Sequence, residues 1–362
     1  MQGQDRFPVR RRSRIWSSAA AVLLLSAAAG CGEESAPAPP PPASAPAPAE
    51  STSASAPNAI VAAATAFLDT LSADERDRVL FDRGDKQQQQ RWSNLPDGIY
   101  DRAGLMIGDL ARPQTDAFLA LMRATLSPEG YTRVLAEWAA DDVLAAAEGR
   151  TNLGTRLFRI ALIGEPSPTE PWQWQFGGHH VSINATLTGA ALSLTPSFLG
   201  AQPATYTNDG TPVRPLGDLT DQAFALVNSL DAGTRRRAVL GSTPIDLVLG
   251  AGQDCRSIAP EGLPASAMTP AQRAAFLALI SEYGSLGNPR HAAPRLAQLR
   301  ADLPGTHFAW YGPTTPGSAA YFRITGPHVH IEYSPRAMGG DAVNHIHGIY
   351  RDPTNDYGGT VC

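Results

Sequence analysis

The sequence predicts an α+β fold built from two sequence-related repeats, each consisting of helices followed by antiparallel strands. Three observations indicate it. In each half, apolar residues first recur at helical spacing and then alternate with period two. Four sequence blocks of the first half return in the same order in the second. No Gly-rich dinucleotide or phosphate loop marks a parallel sheet. We expect the repeats to be related by approximate pseudo-twofold symmetry.

The first thirty residues have the composition of an export signal. A basic segment, RFPVRRRSR, precedes the apolar stretch IWSSAAAVLLLSAAAG, which is shorter and richer in alanine and serine than a membrane-spanning helix. Cys31 follows directly, at the place where bacterial lipoproteins carry their lipid. We predict a lipoprotein-type signal peptide over 1–30 and lipidation of Cys31. The lipid would anchor the chain in a membrane, which is therefore a predicted partner. The exported chain would face the periplasm or the cell exterior. A cleaved signal without lipid is the alternative.

The composition of the chain after residue 30 indicates a disordered segment and excludes one class of partner. Residues 31–56 are mostly proline, alanine and serine, which cannot bury enough apolar surface to fold, so we predict a disordered tether. Five of the 29 basic and one of the 34 acidic residues precede Cys31, which leaves 24 basic and 33 acidic residues. This balance gives no indication of a nucleic-acid partner. Cys255 and Cys362 could pair in an oxidising compartment or remain free thiols.

The internal similarity sets the predicted boundaries of the repeats. AFLDTLSADERDRVL matches AFALVNSLDAGTRRRAVL, LPDGI matches APEGL, and AFLAL occurs in both halves. The last block aligns without gaps, and its matched pairs, each 148 residues apart, are Gly164/Gly312, Pro168/Pro316, Gly178/Gly326, His180/His328, Val181/Val329 and Ile183/Ile331. We therefore predict a first repeat over 57–212 and a second over 213–362.

Local signals place the helices and strands. Ser72 with Glu75 and Thr269 with Gln272 form predicted capping boxes, and several apolar segments such as AAFLALISEY have helical spacing. The strand halves alternate with period two: VSINATLTG then ALSLTPSF in the first repeat, YFRITG then HVHIEYS in the second. Glycine-containing turns between these segments predict hairpins.

The histidines fall on the predicted strands. Successive strand residues face opposite sides of a sheet, so each strand has one apolar and one polar face. His179 aligns with Pro327 and is predicted to lie at the strand entry. The predicted polar faces are His180, Ser182 and Asn184 in the first half and His328, His330 and Glu332 in the second.

A further pair, His345 and His347, lies downstream on a strand that we expect to pair with the strand of Glu332. Neutral imidazoles with one carboxylate are typical ligands of zinc and similar divalent transition metals. We predict a metal site whose candidate ligands are His180, His345, His347, Glu332, His328 and His330. A polar pocket without metal and purely structural histidines are the alternatives.

Three residues are candidates for catalysis. Glu332 could act as a general base toward a water on the metal instead of as a ligand. Arg351 could hold an anionic group of the substrate, or it could belong to a Pro/Asn/Gly-rich loop with structural hydrogen bonds. Asn184 shares the predicted polar face with His180. No G-x-S-x-G sequence is present, which argues against a serine hydrolase.

Several strings together resemble one family. RWSNLPDGI, WQFGGHHVSIN, TNDGTPVRPLGD, DLVLGAGQD and HIHGIYRDPTNDYGG closely resemble the proteins grouped as domain of unknown function 3500, over nearly all of 57–358. The resemblance implies an exported protein but no reaction. It marks the Gly178–His180 segment, Glu332 and the two histidines of HIH as typical of the family. His328 and His330 depart from it, so the first candidates are His180, Glu332, His345 and His347.

These observations together predict a cell-envelope lipoprotein with a His/Glu site on the polar face of an antiparallel sheet. The predicted activity is metal-dependent hydrolysis of a small-molecule or polymeric substrate. The alternative is a non-catalytic ligand-binding or scaffold protein that uses the same face.

Overall fold

The computed structural model of the chain describes residues 56–338, 340–359 and 361. The predicted signal peptide, Cys31, nearly all of the tether and Cys362 lie outside the described residues. Cys255 takes part in a disulfide bond. The compact unit spans Thr52–Cys362. Among the residues that the structure describes, no helix combines the length and the apolar character needed to cross a membrane.

Helices and strands alternate in groups along the chain, as expected for an α+β fold. The helices of the described part are α1 (Ala56–Asp69), α2 (Ala73–Val79), α3 (Lys86–Gln89), α4 (Arg112–Thr125), α5 (Pro128–Glu148), α6 (Gly217–Ser229), α7 (Ala232–Ala238), α8 (Pro270–Gly284) and α9 (Pro289–Asp302). The strands are β1 (Leu80–Phe81), β2 (Leu105–Met106), β3 (Arg159–Ile163), β4 (Trp172–Gly177), β5 (Val181–Thr188), β6 (Ala191–Ser193), β7 (Ser197–Leu199), β8 (Tyr206–Asn208), β9 (Thr211–Val213), β10 (Val239–Gly241), β11 (Leu263–Pro264), β12 (His307–Tyr311), β13 (Tyr321–Gly326), β14 (Val329–Pro335) and β15 (Ile346–Arg351).

One large sheet forms the centre of the molecule. Its strand order is β1-β3-β4-β5-β7-β15-β14-β13-β12-β10, with β2, β6 and β11 attached beside this path. Most neighbours are antiparallel, as predicted, but β1 pairs with β3 and β10 pairs with β12 in parallel. The sheet is therefore mixed, which the sequence did not predict. The two strands that pair in parallel at the sheet edges, β1 and β10, each directly follow a short helix, α2 and α7.

Helices α4 and α6 pack on one face of the sheet through aromatic side chains. Phe118 of α4 lies against Trp174 and Phe176 of β4, with ring centroids 6.0 and 5.5 Å apart. Phe224 of α6 contacts Trp310 of β12 at 4.9 Å. All five rings are buried and belong to one hydrophobic core. Because such rings bury large apolar areas, these contacts fix the helical layer on the sheet.

The opposite, polar face of the sheet is also buried. Two long segments cover it, the first covering segment (residues 82–104) and the second covering segment (residues 242–262). Gln88 in the first donates to Gln175 of β4 at 3.0 Å. In the second, the backbone N–H groups of Val248 and Leu249 donate to Glu332 of β14 at 2.7 and 2.8 Å. The face that the sequence suggested for a site is thus largely occupied by internal hydrogen bonds.

The local predictions from sequence are confirmed where the structure describes them. Both capping boxes are present, at Ser72 and at Thr269. The predicted hairpins are β5–β6 and β13–β14, and the His347 strand pairs with β14 as expected. Each of these features is determined by residues that are close in the sequence or by the alternation of polar and apolar residues along one strand. The sequence pattern could therefore predict them.

Replacing Gly348 by alanine is expected to destabilise the centre of the sheet. A Cβ atom at this position would lie 2.5 Å from the carbonyl oxygen of Leu199 and 2.6 Å from the hydroxyl of Tyr283. Both contacts are shorter than van der Waals distance, so β7, β15 and α8 would have to shift, at a cost of about 1–3 kcal/mol or more. Chemical denaturation of the Gly348→Ala variant measures this. At Gly305 an added Cβ meets nothing within 4 Å, and Gly305→Ala should leave stability unchanged.

A buried acid in α5 is expected to make stability fall as pH rises. Glu137 is 0 % exposed, and neither carboxylate oxygen has a hydrogen-bond partner in the described part of the chain. Burial raises the pKa of Glu137 well above its ordinary 4.5, although Arg133 opposes the shift. Above the unfolded-state pKa, the folded chain therefore binds one proton more than the unfolded chain. The free energy of unfolding then decreases by up to about 1.4 kcal/mol per pH unit until the folded-state pKa is reached.

The isosteric Glu137→Gln variant removes this dependence. We expect its stability advantage over the wild type to grow between pH 4.5 and 7.5, as measured by urea denaturation at several pH values. Glu129→Gln, at an exposed position of the same helix, is the matched control and should show no such gain. If the difference in the free energy of unfolding between Glu137→Gln and wild type did not change with pH, burial would not raise the pKa of Glu137 as we expect.

Candidate metal centre

Three histidines from two distant parts of the chain meet at the middle of the sheet. His180 directly precedes β5, His345 directly precedes β15, and His347 lies within β15. β7 pairs with both β5 and β15 and so holds the two strands one strand apart. One nitrogen from each of the three histidines lies within 4.8 Å of the other two. We call these three residues the three-histidine group.

The contacts within the group join ring nitrogens to ring nitrogens. Nε2 of His345 lies 2.8 Å from Nε2 of His180 and 3.0 Å from Nε2 of His347. The Nδ1 of His345 lies 2.7 Å from the carbonyl oxygen of Met338. Because a carbonyl oxygen only accepts, this Nδ1 carries the proton, and the Nε2 of neutral His345 presents its lone pair to the other two rings. A tetrahedral zinc ion with bonds of about 2.0–2.1 Å holds its nitrogen ligands about 3.3 Å apart, so a small outward movement of the rings would accommodate it.

Burial keeps the group in the form that binds metal. His180 and His345 are buried, and His347 is partly exposed, so solvent reaches the group from one side. Burial lowers the pKa of all three imidazoles below the ordinary 6.5, for His180 and His347 well below it. Neighbouring histidines lower the pKa of His180 and His347 further, because each protonated ring would repel the next. Neutral imidazole is the form of histidine that coordinates metals.

The backbone at His180 adopts an unusual conformation. Its φ is +66°, in the left-handed region that non-glycine residues rarely adopt. Sequence alternation placed His180 within the strand, but the strand begins one residue later, so this expectation is wrong. The left-handed turn aims the ring at His345 instead of along the polar face of β5. Such strain costs about 1–3 kcal/mol and is found preferentially at functional sites.

His179 and Asp141 form a second layer behind His180. Nδ1 of His179 lies 2.6 Å from Oδ1 of Asp141, and the His179 ring contacts the His180 ring with centroids 3.6 Å apart and planes inclined by 32°. The other oxygen of Asp141 accepts from the backbone N–H of Gly154 at 2.7 Å. The carboxylate therefore orients His179, and His179 fixes the plane of the His180 ring. Asp141, His179 and His180 themselves form a second group whose ligand atoms lie within 4.8 Å of one another.

Sequence reasoning missed Asp141 and assigned His179 only to the strand entry. Asp141 lies on α5, nearly forty residues before His179, and it appears there as one acid among helical residues. The available signal was two adjacent acids, Asp141 and Asp142, next to the apolar face of a predicted core helix. A buried acid at such a position requires a partner.

Glu332 does not join the three-histidine group. Besides the two N–H groups of the second covering segment, its carboxylate accepts from the Tyr321 hydroxyl at 2.6 Å and from Nε2 of His330 at 2.9 Å. Burial alone would raise the pKa of Glu332, but the bonds from His330, Tyr321 and the backbone outweigh it and lower the pKa below 4.5. His328 is bound elsewhere, with Nδ1 2.7 Å from Asp302. The metal-ligand roles of these residues stay predictions from sequence.

The other two predicted catalytic residues are engaged in internal hydrogen bonds. Asn184 is fully buried, accepts from Gln175 at 2.9 Å and donates to the carbonyl of Pro196 at 2.8 Å. Arg351 is buried as well and donates to two backbone carbonyls of the second covering segment, those of Leu249 and Gly250. The partners of its Nη1 are the carboxylates of Asp254 and Asp356, at 3.0 and 2.8 Å.

Comparison with known proteins supports the resemblance seen in the sequence. The family model described as protein of unknown function (DUF3500) matches residues 53–359. No curated protein and no solved structure matches the chain significantly. The matched range contains every residue of the three-histidine group, together with His179 and Asp141. The chain belongs to the family of proteins of unknown function called DUF3500.

Proposed function

We propose that the chain binds one divalent transition metal ion of the zinc class through His180, His345 and His347. The observation that supports this most is the convergence of three Nε2 atoms, two of them in buried residues, with contacts of 2.8 and 3.0 Å. Without a cation, the two contacts are hydrogen bonds in which the Nε2 atoms of His180 and His347 carry protons and share the single lone pair of His345 Nε2. A divalent transition metal ion would instead accept one lone pair from each of the three imidazoles.

We further propose that the bound metal serves hydrolysis. A site with three protein ligands leaves a fourth position open, and zinc in such sites lowers the pKa of a bound water to about 7. The partly exposed edge at His347 is the side from which water and substrate would approach. Asp141 and His179 would act as positioning residues, since they fix the ring of His180. Their removal should free the His180 ring to move and so lower the metal affinity.

A non-catalytic role is the second candidate. Glu332, Arg351 and Asn184 each have a set of internal partners, which leaves no obvious general base at the three-histidine group among them. This favours a protein that holds a metal or a metal-bound ligand without turnover. The two candidates share the metal and differ in whether a substrate is hydrolysed.

Two expectations about the whole chain also remain proposals. The basic and apolar N-terminal segments followed by Cys31 support an exported lipoprotein, anchored to a membrane and facing the periplasm or cell exterior. A duplication of 57–212 and 213–362 is supported by the matched order of elements. In each half, a strand that pairs in parallel at the sheet edge precedes an antiparallel meander.

Titration with Co²⁺ tests the proposed function. Four-coordinate Co²⁺ absorbs visible light much more strongly than the hydrated ion, so one equivalent bound by the histidines should develop an intense spectrum that Zn²⁺ abolishes by competition. The metal-loaded protein is then assayed with model carboxylic and phosphate esters. Metal-dependent turnover supports the hydrolase, and stoichiometric binding without turnover supports the non-catalytic candidate. A cobalt spectrum no different from the hydrated ion would contradict both.

A further inference from the structure

Three arginines converge on a small cavity beneath the first covering segment. The cavity has a volume of about 20 Å³ and is lined by Arg91, Arg102 and Arg159 together with polar and apolar residues of β4 and β5. No aspartate or glutamate is among the described residues that line it. By this measure of volume, a space of about 10–15 Å³ holds one water molecule. The cavity therefore offers room for about one particle of that size, in a lining that is positively charged.

Arg102 is the most deeply buried of the three arginines. It is 7 % exposed, and its Nη2 donates to the backbone carbonyls of Ser93 at 2.8 Å, Gly178 at 3.0 Å and Leu95. Its Nε and Nη1 are buried and have no hydrogen-bond partner in the part of the chain that the structure describes. Carbonyl oxygens are neutral, so this guanidinium has no direct carboxylate partner among its hydrogen bonds.

Arg159 adds a further unpartnered donor. Its Nε is buried without a partner among the residues described, and its ion pair with Asp97 is long, at 4.0 Å. Arg91, by contrast, is held by Asp101 through its Nε and Nη2. The arginines that line the cavity thus carry three buried nitrogens with no partner among the described residues, all of which can only donate. Leaving charged donors buried and unpaired is costly, so such a lining indicates an acceptor that the described residues do not supply.

We propose that this cavity binds a small monovalent anion of the size of chloride, through Arg102 and Arg159. An anion supplies both the acceptor and the negative charge that the lining lacks, whereas water supplies only the acceptor. The volume excludes sulfate and phosphate. Desolvation lowers the pKa of Arg102 to about 10, which agrees with a guanidinium whose charge the protein compensates incompletely.

The site also bears on the histidines, although it does not depend on their binding a metal. Arg102 holds the carbonyl of Gly178, two residues before His180. An anion that fixes Arg102 would therefore help to hold the segment in which His180 takes its left-handed conformation. The measurements below use no metal, so their outcome is separate from that of the proposed metal centre.

Thermal unfolding in sodium chloride and in sodium gluconate at equal ionic strength tests the proposal with the purified protein. Chloride should stabilise the folded protein, and the effect should saturate as the chloride concentration rises. At a chloride concentration ten times its Kd, the ratio of folded to unfolded chains should be about 11-fold higher than in gluconate. Sulfate should give no saturable increase. Arg102→Gln should abolish the difference between chloride and gluconate, while Arg112→Gln, whose wild-type side chain is 91 % exposed, should retain it. Equal unfolding curves in chloride and gluconate for the wild type would overturn the proposal.

Bromide provides a direct test that requires no variant and therefore covers the case in which Arg102→Gln does not fold. In crystals grown in sodium bromide, we expect an anomalous scattering peak in the cavity within hydrogen-bond reach of Arg102 and Arg159. Arg159→Gln, which changes the less buried of the two arginines, should weaken or remove this peak. A cavity that contains only water at high bromide concentration would contradict the anion site.

Discussion

Replacing His345 by alanine should lower the affinity of the protein for Zn²⁺ and Co²⁺ by about 100-fold or more. His345 is the middle member of the three-histidine group, since its Nε2 lies within 3.0 Å of both other Nε2 atoms. Removing a residue that only hydrogen-bonds a metal ligand commonly lowers metal affinity 10–100-fold. Removing a ligand itself should lower the affinity at least as much. Competition titrations against a chromophoric chelator measure the change.

The matched control for this prediction is His328→Ala. His328 is also a histidine beside the sheet and a ligand candidate by sequence, but its ring is held by Asp302. We expect its metal affinity to equal that of the wild type, with at most a small loss of stability. If His328→Ala and His345→Ala lost metal equally, the site would lie elsewhere than in the three-histidine group. If neither variant lost metal, histidine ligation by this group would be wrong.

Replacing Glu332 by glutamine should destabilise the fold by about 2–4 kcal/mol at pH 7 without removing the metal. The wild-type carboxylate accepts four hydrogen bonds in a fully buried position. An amide replaces one oxygen with a donor, which opposes at least one of the existing donors and leaves it unpaired. Urea denaturation and metal analysis of the same sample separate the two effects. Glu170→Gln, at an exposed position, is the control.

The pH dependence follows from the lowered pKa of Glu332. Because its folded-state pKa lies below the unfolded value, the ionised carboxylate contributes stability that is fully present above the unfolded pKa. That contribution is lost as the pH falls through the folded-state pKa. We therefore expect the stability difference between wild type and Glu332→Gln to shrink from pH 7 toward pH 3. A Glu332→Gln protein of unchanged stability that binds no metal would place Glu332 in the metal centre.

Sequence patterning predicted the local architecture well. Capping at Ser72 and Thr269, both hairpins and the pairing of the His347 strand with β14 depend on short-range signals. It also named the residues of the three-histidine group among its candidates, because adjacent or alternating histidines on strands are rare and easily seen. Their meeting could not be derived, since it depends on β7 lying between β5 and β15.

The features that the sequence did not predict are found mainly in the covering segments. Strand alternation identified a polar face, but nothing in the spacing of residues revealed that the covering segments bury this face and form hydrogen bonds with Glu332 and Arg351. These segments contain long stretches outside helices and strands, so they lack a periodic signal. The left-handed backbone conformation of His180 could not be predicted from the sequence either, because tertiary contacts and not a local preference of histidine stabilise it.

The metal content of the purified, untagged protein tests the central claim most directly. The compact unit that begins at Thr52, prepared without chelators, is analysed by plasma mass spectrometry beside the His345→Ala/His347→Ala double variant. We predict close to one equivalent of a divalent transition metal per chain in the wild type and almost none in the variant. A wild-type protein that contains no metal, and whose thermal stability no divalent ion changes, would contradict the three-histidine metal centre.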